Sequence, residues 1–422
     1  MSFGMRVAGD APVRWLVLGA SLYAVQGVVV AYLFNFNKSY MQSAGLPVDV
    51  IGRIQTFALL PLVFKFLVGP ISDRFNLLGF GHRLPYIVLG LIVQAGGLVG
   101  LARLDPRNQL SLFTMMAMLT VVGLAIYDTC CDGLIIDVTP PENRARAQGL
   151  LWTSRFLAAT FFTLGFGWWI DALGGARHAD YLLIASAGLT LLPCGLALCL
   201  REPTRAADFE RFKGSALKVM TRPWSLKLLA FGCLYGITGM GVESNLSLHY
   251  KEMGFGPGGD VGTLGAARNL GHVAGALMLP LAMARWGRRT VLILGVVILA
   301  GSIAAQVPVR GKLGAGAAGM ALGAAVGWDD TLFATLAMEG ADPRLAASTF
   351  ALFMAVTNLS VVGDALFSAG VAASGGFHVP FFTAAIATLF ALPLAIKLAR
   401  SARVSPVSSK PDIEFDPGAR IA

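Results

Sequence analysis

The stretch from Val121 to Arg155, VVGLAIYDTCCDGLIIDVTPPENRARAQGLLWTSR, decides how the rest of the chain is read. It has the shape of one membrane-spanning helix, a short basic turn and the start of another. Yet Asp128, Asp132 and Asp137 sit inside or at the end of the first apolar run, and Arg155 sits inside the second. A central Asp or Arg costs roughly 2.5–3.5 kcal/mol on insertion into lipid. These faces therefore look into protein or into a water-filled chamber.

The whole chain agrees with a membrane reading. Its 422 residues are 55% hydrophobic and only 14% charged, with mean hydropathy +0.67, where a soluble globular protein carries about 25% charged residues. A soluble multi-domain enzyme could not hide so many apolar runs. The net charge of +9 and pI near 9.5 point to basic loops at the inner membrane surface rather than to nucleic acid. Five cysteines, Cys130, Cys131, Cys194, Cys199 and Cys233, lie in apolar segments without ligand spacing, and are expected as small core residues. The first apolar run is too long for a cleaved signal and is expected to be retained.

Twelve apolar windows are long enough to span a bilayer: 15–36, 50–73, 84–103, 110–138, 147–170, 180–200, 226–249, 260–284, 290–307, 313–339, 346–372 and 378–399. With the N-terminus in the cytoplasm, loops and tails on that side hold 22 of the 33 basic residues and the opposite side eight, with Lys65, Arg155 and Arg268 inside spans. That bias puts both termini in the cytoplasm. Trp15, Trp224 and Trp286 are expected at the inner boundary, Trp168 and Trp169 at the outer. The reading divides the chain into a first six-helix bundle (1–200), a cytoplasmic linker (201–225), a second bundle (226–400) and a disordered cytoplasmic tail (401–422). The halves repeat weakly: GPISDRF from Gly69 matches PLAMARWGRR from Pro280, and Asp128 through Asp137 matches Asp330 through Glu339. Two six-helix repeats of like orientation mark one large transporter architecture.

Depth groups the embedded charges. At ~1.5 Å per residue, Lys65 lies ~12 Å from the inner boundary, Asp132 ~12 Å and Arg155 ~13 Å, with Asp128 one turn farther out. Opposite charges at one level in a low-dielectric site are expected to pair, either as a substrate and proton site or as a static cluster gluing the half together. Asp137 is rotated away at the cytoplasmic end and takes a different role. Glu243 and Arg268 land together ~24–26 Å from the cytoplasm, as an outer gate pair or an interfacial salt bridge. His272 lies one turn beyond Arg268, as a proton relay or a structural histidine. Asp329, Asp330 and Asp364 are further embedded carboxylates, and one of the adjacent pair must point away from the other's face. Asn358 and Asp364 are candidates for the cavity side of the eleventh span. Trp152 and Trp328 are candidates for ligand stacking, against the commoner role of packing. HExxH, a Walker loop and metal-ligand spacing are missing, and GFGPGG at Gly254–Gly259 lacks a preceding strand. No enzyme chemistry and no cofactor are expected, and uphill work would draw on an ion gradient.

Gly69 through Arg74 (GPISDR), followed by Gly81-His82-Arg83, resembles the G-x-x-x-D-R-x-G-R-R loop of the major facilitator superfamily, with an insert before the second glycine and His82 in place of an arginine. RWGRR at Arg285–Arg289 is similar to its degraded second copy. LPLVFKF around Lys65, Asp128-xxx-Asp132, and DVTPPENR at Asp137–Arg144 resemble the branch containing muropeptide permeases, acetyl-coenzyme A transporters and folate–biopterin transporters. LLWTSR at Leu150–Arg155 is most similar to the last. The resemblance implies an all-α polytopic fold of twelve transmembrane helices in two six-helix bundles. It implies a cytoplasmic gate triad of Asp73, Arg83 and Asp137, with Arg74 beside it in the motif; Glu243 and Arg268 join the gating residues from their depth on the outer side. It makes Lys65, Asp128, Asp132 and Arg155 the central site; on this reading Lys65 and Arg155 hold an anionic group of the substrate, Asp128 or Asp132 takes the coupling proton, and Trp152, Asn358 and Trp328 are added from their positions in the spans. The expected protein is a monomeric secondary transporter of the bacterial inner membrane, a proton symporter for a small organic anion or polar conjugate. Its partners are the solute, protons and the bilayer. Two other readings are proton-exchange efflux of a lipophilic compound and a non-transporting membrane assembly factor. LPY at Leu84–Tyr86 faintly resembles pigment–protein assembly factors.

Overall fold

The computed structural model describes residues 11–140, 143–173, 179–202, 214–256, 258–342 and 345–400. The tail assigned to 401–422 and residues 203–213 of the 201–225 linker lie outside the described residues. Helices run through nearly all of the described chain. The first crossing is α1 (Ala11–Val30), a π-helical turn (Ala31–Phe36) and α2 (Asn37–Ser43). The second is α3 (Val48–Val63), a 3-10 turn (Phe64–Leu67) and α4 (Val68–Arg74). Four unbroken helices follow: α5 (Leu84–Ala102), α6 (Leu110–Val138), α7 (Arg144–Ala172) and α8 (Ala179–Cys199). The seventh crossing is α9 (Pro223–Tyr235), a π-helical turn (Gly236–Met240), α10 (Gly241–Glu243) and α11 (Leu246–Glu252). The helical run α12 (Gly259–Ala304) folds back at Gly287, whose φ of 73° and ψ of 165° suit a residue without a Cβ, and so supplies two crossings. Then come α13 (Gly311–Gly340), the eleventh crossing as α14 (Ala346–Thr357) and α15 (Ser360–Ser374), and the twelfth as α16 (His378–Leu389) and α17 (Leu392–Arg400).

Among the described residues, nine runs are apolar and long enough to cross a membrane, and the 46-residue α12 counts twice. The other two crossings are α7 and α13. They have spanning length but hold Arg155 and the Asp329–Asp330 pair, and so hide polar groups among neighbours. The outer surface is apolar: Phe161, Leu192 and Leu281 are each at least 70% exposed. A patch this extensive has lipid, not water, as its natural solvent.

Packing between helices relies on small residues. On α12, Gly271 and Gly275 face Gly323 and Gly327 of α13, and a Cβ at Gly275 would come within 2.1 Å of the Ala324 carbonyl oxygen. Without a hydrophobic force between helices in lipid, such close backbone approach supplies the attraction. The two π-helical turns occupy matching places in the two repeats, 205 residues apart at their starts (31 and 236). Such turns often mark functional sites. The 3-10 turn in the second crossing follows Pro61, which removes a helical hydrogen bond. Both termini of the described chain lie on one face, together with the arginine-rich loops; it is called the basic face below.

The tryptophans divide. Trp286, Trp168 and Trp169 are exposed as interfacial residues should be, but Trp15 and Trp224 are buried. The Arg288 guanidinium lies 5.7 Å from the Trp224 ring, so Trp224 packs under a charge instead of meeting headgroups. Cys130 and Cys131 are buried as expected, while Cys199 is exposed at the end of α8.

Candidate transport site

Between the bundles lies a cavity of about 60 Å³, bordered by the first, second, fourth, fifth, seventh, tenth and eleventh crossings. That is room for on the order of four waters. Five charged side chains reach its wall: Lys65, Asp128, Asp132, Arg155 and Asp330. Lys65 leaves the chain at the 3-10 turn, where the broken helix lets its side chain turn inward. Its Nζ meets Asp128 Oδ2 at 2.7 Å and Asp132 Oδ2 at 4.0 Å. Gln26 donates to Asp128 Oδ1 at 2.7 Å, and the Tyr23 hydroxyl donates to Asp132 Oδ1 at 2.7 Å. One helical turn places both carboxylates on one face of α6, which is why one ammonium can serve both.

Arg155 is at the expected level but does not pair with these acids. Its guanidinium stacks over Trp152 at 4.9 Å and lies 5.6 Å from the Phe156 ring. It forms no ion pair among the described residues, and its buried Nε has no hydrogen-bond partner. Lys65, Gln26 and Tyr23 are the partners of the two acids, and Arg155 faces the cavity. Asn358 lines the cavity at the break between α14 and α15, but its amide is engaged, donating to the Leu62 carbonyl of the other half at 2.8 Å.

Trp328 is a correction. It is absent from the cavity wall and its Nε1 donates to the Val291 carbonyl at 3.2 Å within its own bundle. Two residues along a helix is about 200° of rotation, so the face that brings Asp330 to the cavity turns Trp328 away. Asp329 also points away, against Gly295 of α12, as an adjacent pair requires.

On the basic face, the fully buried Arg83 side chain binds Asp73 at 2.7 Å, Ser72 at 2.9 Å and Asp137 at 3.3 Å. The other Asp73 oxygen crosses between halves: it accepts from the Ser348 amide at 2.9 Å and its hydroxyl at 2.5 Å. Arg74 does not join this latch. It is exposed and its guanidinium lies 5.2 Å from the Phe75 ring, because the residue after Asp73 in α4 faces outward. Glu202, at the start of the linker, accepts the backbone N–H groups of His82, Arg83 and Leu84 at 2.8–3.2 Å, capping α5. An anion at a helix N-terminus both meets free donors and opposes the dipole. Glu202→Ala is therefore expected to cost about 1–2 kcal/mol, read as a lower thermal midpoint in detergent, with Glu202→Gln intermediate.

On the opposite face, Glu243 and Arg268 do meet, Oε1 to Nε at 3.0 Å, and His272 Nε2 joins the same oxygen at 2.8 Å. Arg268 also donates to Asn35 of the first half at 3.1 Å. The His272 ring stacks on Phe156 with centroids 3.8 Å apart and planes 9° from parallel. Phe156 in turn stacks on Trp152. An aromatic chain therefore joins the Arg155 perch to the Glu243 cluster.

Sequence reasoning missed Lys38. Counted as a loop residue, it is 1% exposed within α2, because the first crossing continues seven residues past its expected end. It pairs with Asp364 at 3.1 Å and donates to the Ser244 carbonyl at 3.0 Å, while Ser244 and Asn245 also bond Asp364. Asp364 thus belongs to a latch on the face opposite the basic one, and is absent from the cavity wall. Tyr23, Gln26, Asn35 and Ser348 were also missed. They are neutral polar residues in apolar runs, which charge-based reading passes over.

Four of the contacts between halves share a pattern. Asp73 meets the start of α14 at Ser348, and Arg144 donates to the Met338 carbonyl near the end of α13 at 2.8 Å. Lys38 meets the carbonyl after α10, and Asp171 accepts from Gly259 at the start of α12 at 2.7 Å. In each, the first half supplies a side-chain charge and the second a helix end of opposite partial charge. This accounts for the degraded second loop motif. Arg288 bonds Glu339 at 3.4 Å, but Ala284 stands where the repeat would place Asp73.

A two-bundle helical protein with charged groups in a central chamber and latches on both faces has the architecture of a membrane transporter. The chain belongs to the Major Facilitator Superfamily, whose family model matches residues 18–362. It is 24% identical over 277 residues to the folate-biopterin transporter of Synechocystis, covering 64% of this chain and 54% of that one. It is 27% identical over 143 residues to the anhydromuropeptide permease of Escherichia coli, covering 34% and 28%. The chain thus spans about half or less of the length of the curated relatives it matches. The human organic anion transporter MFSD10 superposes with a TM-score of 0.67 over 92% of this chain and all of that one at 15% identity, which shows a shared fold.

Proposed function

We propose that this protein is a secondary active transporter that carries a small organic anion or polar conjugate together with protons by alternating access. The observation that carries the reading is Arg155, a cation without an ion-pair partner among the described residues, facing a cavity that also holds Lys65, Asp128 and Asp132. An unpaired guanidinium in a low-dielectric chamber is costly unless an anion visits it. Two cations and three carboxylates line the cavity, a formal charge of −1. One proton neutralises the empty chamber, and each negative charge brought by cargo calls for another. Asp132 is the acceptor of choice: Asp128 holds Lys65 and Gln26 at 2.7 Å, whereas Asp132 is 4.0 Å from the ammonium and bonded to a neutral phenol.

The lysine and arginine bias supports a cytoplasmic basic face with both termini inside, in a bacterial inner membrane. The names of the two relatives support solutes bearing anionic or strongly polar groups. Purified protein is to be screened by thermal shift against muropeptides, pterins, acyl-coenzyme A and dicarboxylates, and stabilising ligands assayed for uptake into proteoliposomes. Uptake is expected to rise when the outside is made acid, because protons then run inward with the solute. In Asp132→Asn that acceleration is expected to vanish. Acceleration of normal size in that variant would exclude Asp132 as the coupling residue, and equal uptake with and without a gradient in the unmodified protein would exclude symport.

A further inference from the structure

Resting on that anion-carrier reading, we infer that the cargo is bipolar: an anionic group at one end, held by Arg155, and an N–H-bearing group at the other, held by Asp330. The argument is a count of unmet bonding capacity on the cavity wall. Lys65, Asp128 and Asp132 are engaged with one another and with Gln26 and Tyr23. The Trp152 indole N–H on the same wall also lacks a partner, and two charged groups are left over. Arg155 on α7 has no ion pair and an unbonded Nε. Asp330 on α13 is 2% exposed and lines the same cavity. Its Oδ1 accepts from Tyr235 at 3.2 Å, while its buried Oδ2 has no hydrogen-bond partner.

The two groups sit on opposite bundles within electrostatic reach of each other, yet form no ion pair. A buried polar atom left unsatisfied is costly, and both remain unsatisfied across the chamber. The ligand that meets both demands presents an acceptor to a planar guanidinium and a donor to a carboxylate: an amine, an amidine or an amino-substituted heteroaromatic ring at the end remote from the acid. Spanning the bundles in this way, cargo would also draw the halves together, which a plain anion held only by α7 would not do. Asp330 is then a specificity residue, separate from the Asp128–Asp132 pair assigned to proton coupling.

Matched probes test this by titration calorimetry on the full-length purified protein: N-(4-aminobenzoyl)glutamate against N-benzoylglutamate, and 4-(aminomethyl)benzoate against 4-methylbenzoate. Within each pair only the amino group differs. The amino member of at least one pair is expected to bind about tenfold tighter or more. Asp330→Asn and Asp330→Ala should bring that ratio within about twofold of unity. Arg155→Gln should weaken both members. The ratio is internal to each protein, so a general loss of stability does not imitate the effect. A ratio near one in the unmodified protein, or one unchanged by both Asp330 variants, overturns the bipolar assignment. If the acids still bind and depend on Arg155, the anion-carrier reading survives that result; if none of the four acids binds, both fall.

Discussion

Lys65→Met is expected to abolish transport and to destabilise the protein by about 3–5 kcal/mol, the usual cost of removing one partner from a buried ion pair. The ammonium is 4% exposed and is the cation that Asp128 and Asp132 share. Methionine of similar length leaves two carboxylates facing each other one helical turn apart, with only Gln26 and Tyr23 to satisfy them. The informative partner is Lys65→Met with Asp128→Asn. That double variant removes one positive and one negative charge, and the side-chain amide that replaces the carboxylate still has an oxygen to accept from Gln26. Its thermal stability should recover most of the loss. Its uptake should not, if the Lys65–Asp128 pairing changes during transport as proposed. Recovery of uptake to within about twofold of the unmodified protein would mean that the Lys65–Asp128 pair is a static brace and that no cargo or proton passes through it.

The second expectation concerns the latches and has opposite signs on the two faces. Asp73→Asn keeps the shape of the side chain but removes the charge that holds the Ser348 amide and Arg83 together. Lys38→Met removes the cation that holds Asp364 and the Ser244 carbonyl. Both bonds join one half to the other, so each variant should release its own face and leave the other closed. Coupling of this kind is typically worth about 1–3 kcal/mol, or 5- to 150-fold in the ratio of two conformations. Spin labels at the exposed positions Arg146 and Arg285 report the basic face, and labels at Arg103 and Arg310 the opposite one. Asp73→Asn should lengthen the first distance, and Lys38→Met the second. Lengthening of the same distance in both variants, or no change in either, would refute the two-latch description.

Comparison of expectation and structure separates two kinds of information. Period and composition placed the twelve crossings because a bilayer imposes length and apolarity on each segment separately, with no knowledge of its neighbours. The Asp73–Arg83–Asp137 cluster was legible because a loop motif ties it to a local turn. The Glu243–Arg268 contact was legible from depth alone, since rise per residue is constant along a helix. Azimuth was not legible. Trp328 and Arg74 have suitable depth and chemistry, but they point elsewhere by rotation around their helix axes. Lys38 escaped because the end of a helix is set by what its last turn packs against, here Ser244 and Asp364 more than 200 residues away.

By itself, then, the sequence determined an all-helical membrane protein of two repeated bundles with ionisable groups at a common level, since hydropathy, period and depth are properties of single segments. Only the tertiary structure decided that Lys65 would be claimed by Asp128, that Arg155 would be left facing the chamber, and that side-chain charges of one half would close on helix ends of the other. Those outcomes depend on which faces of different helices meet, and that is settled by packing across the whole fold.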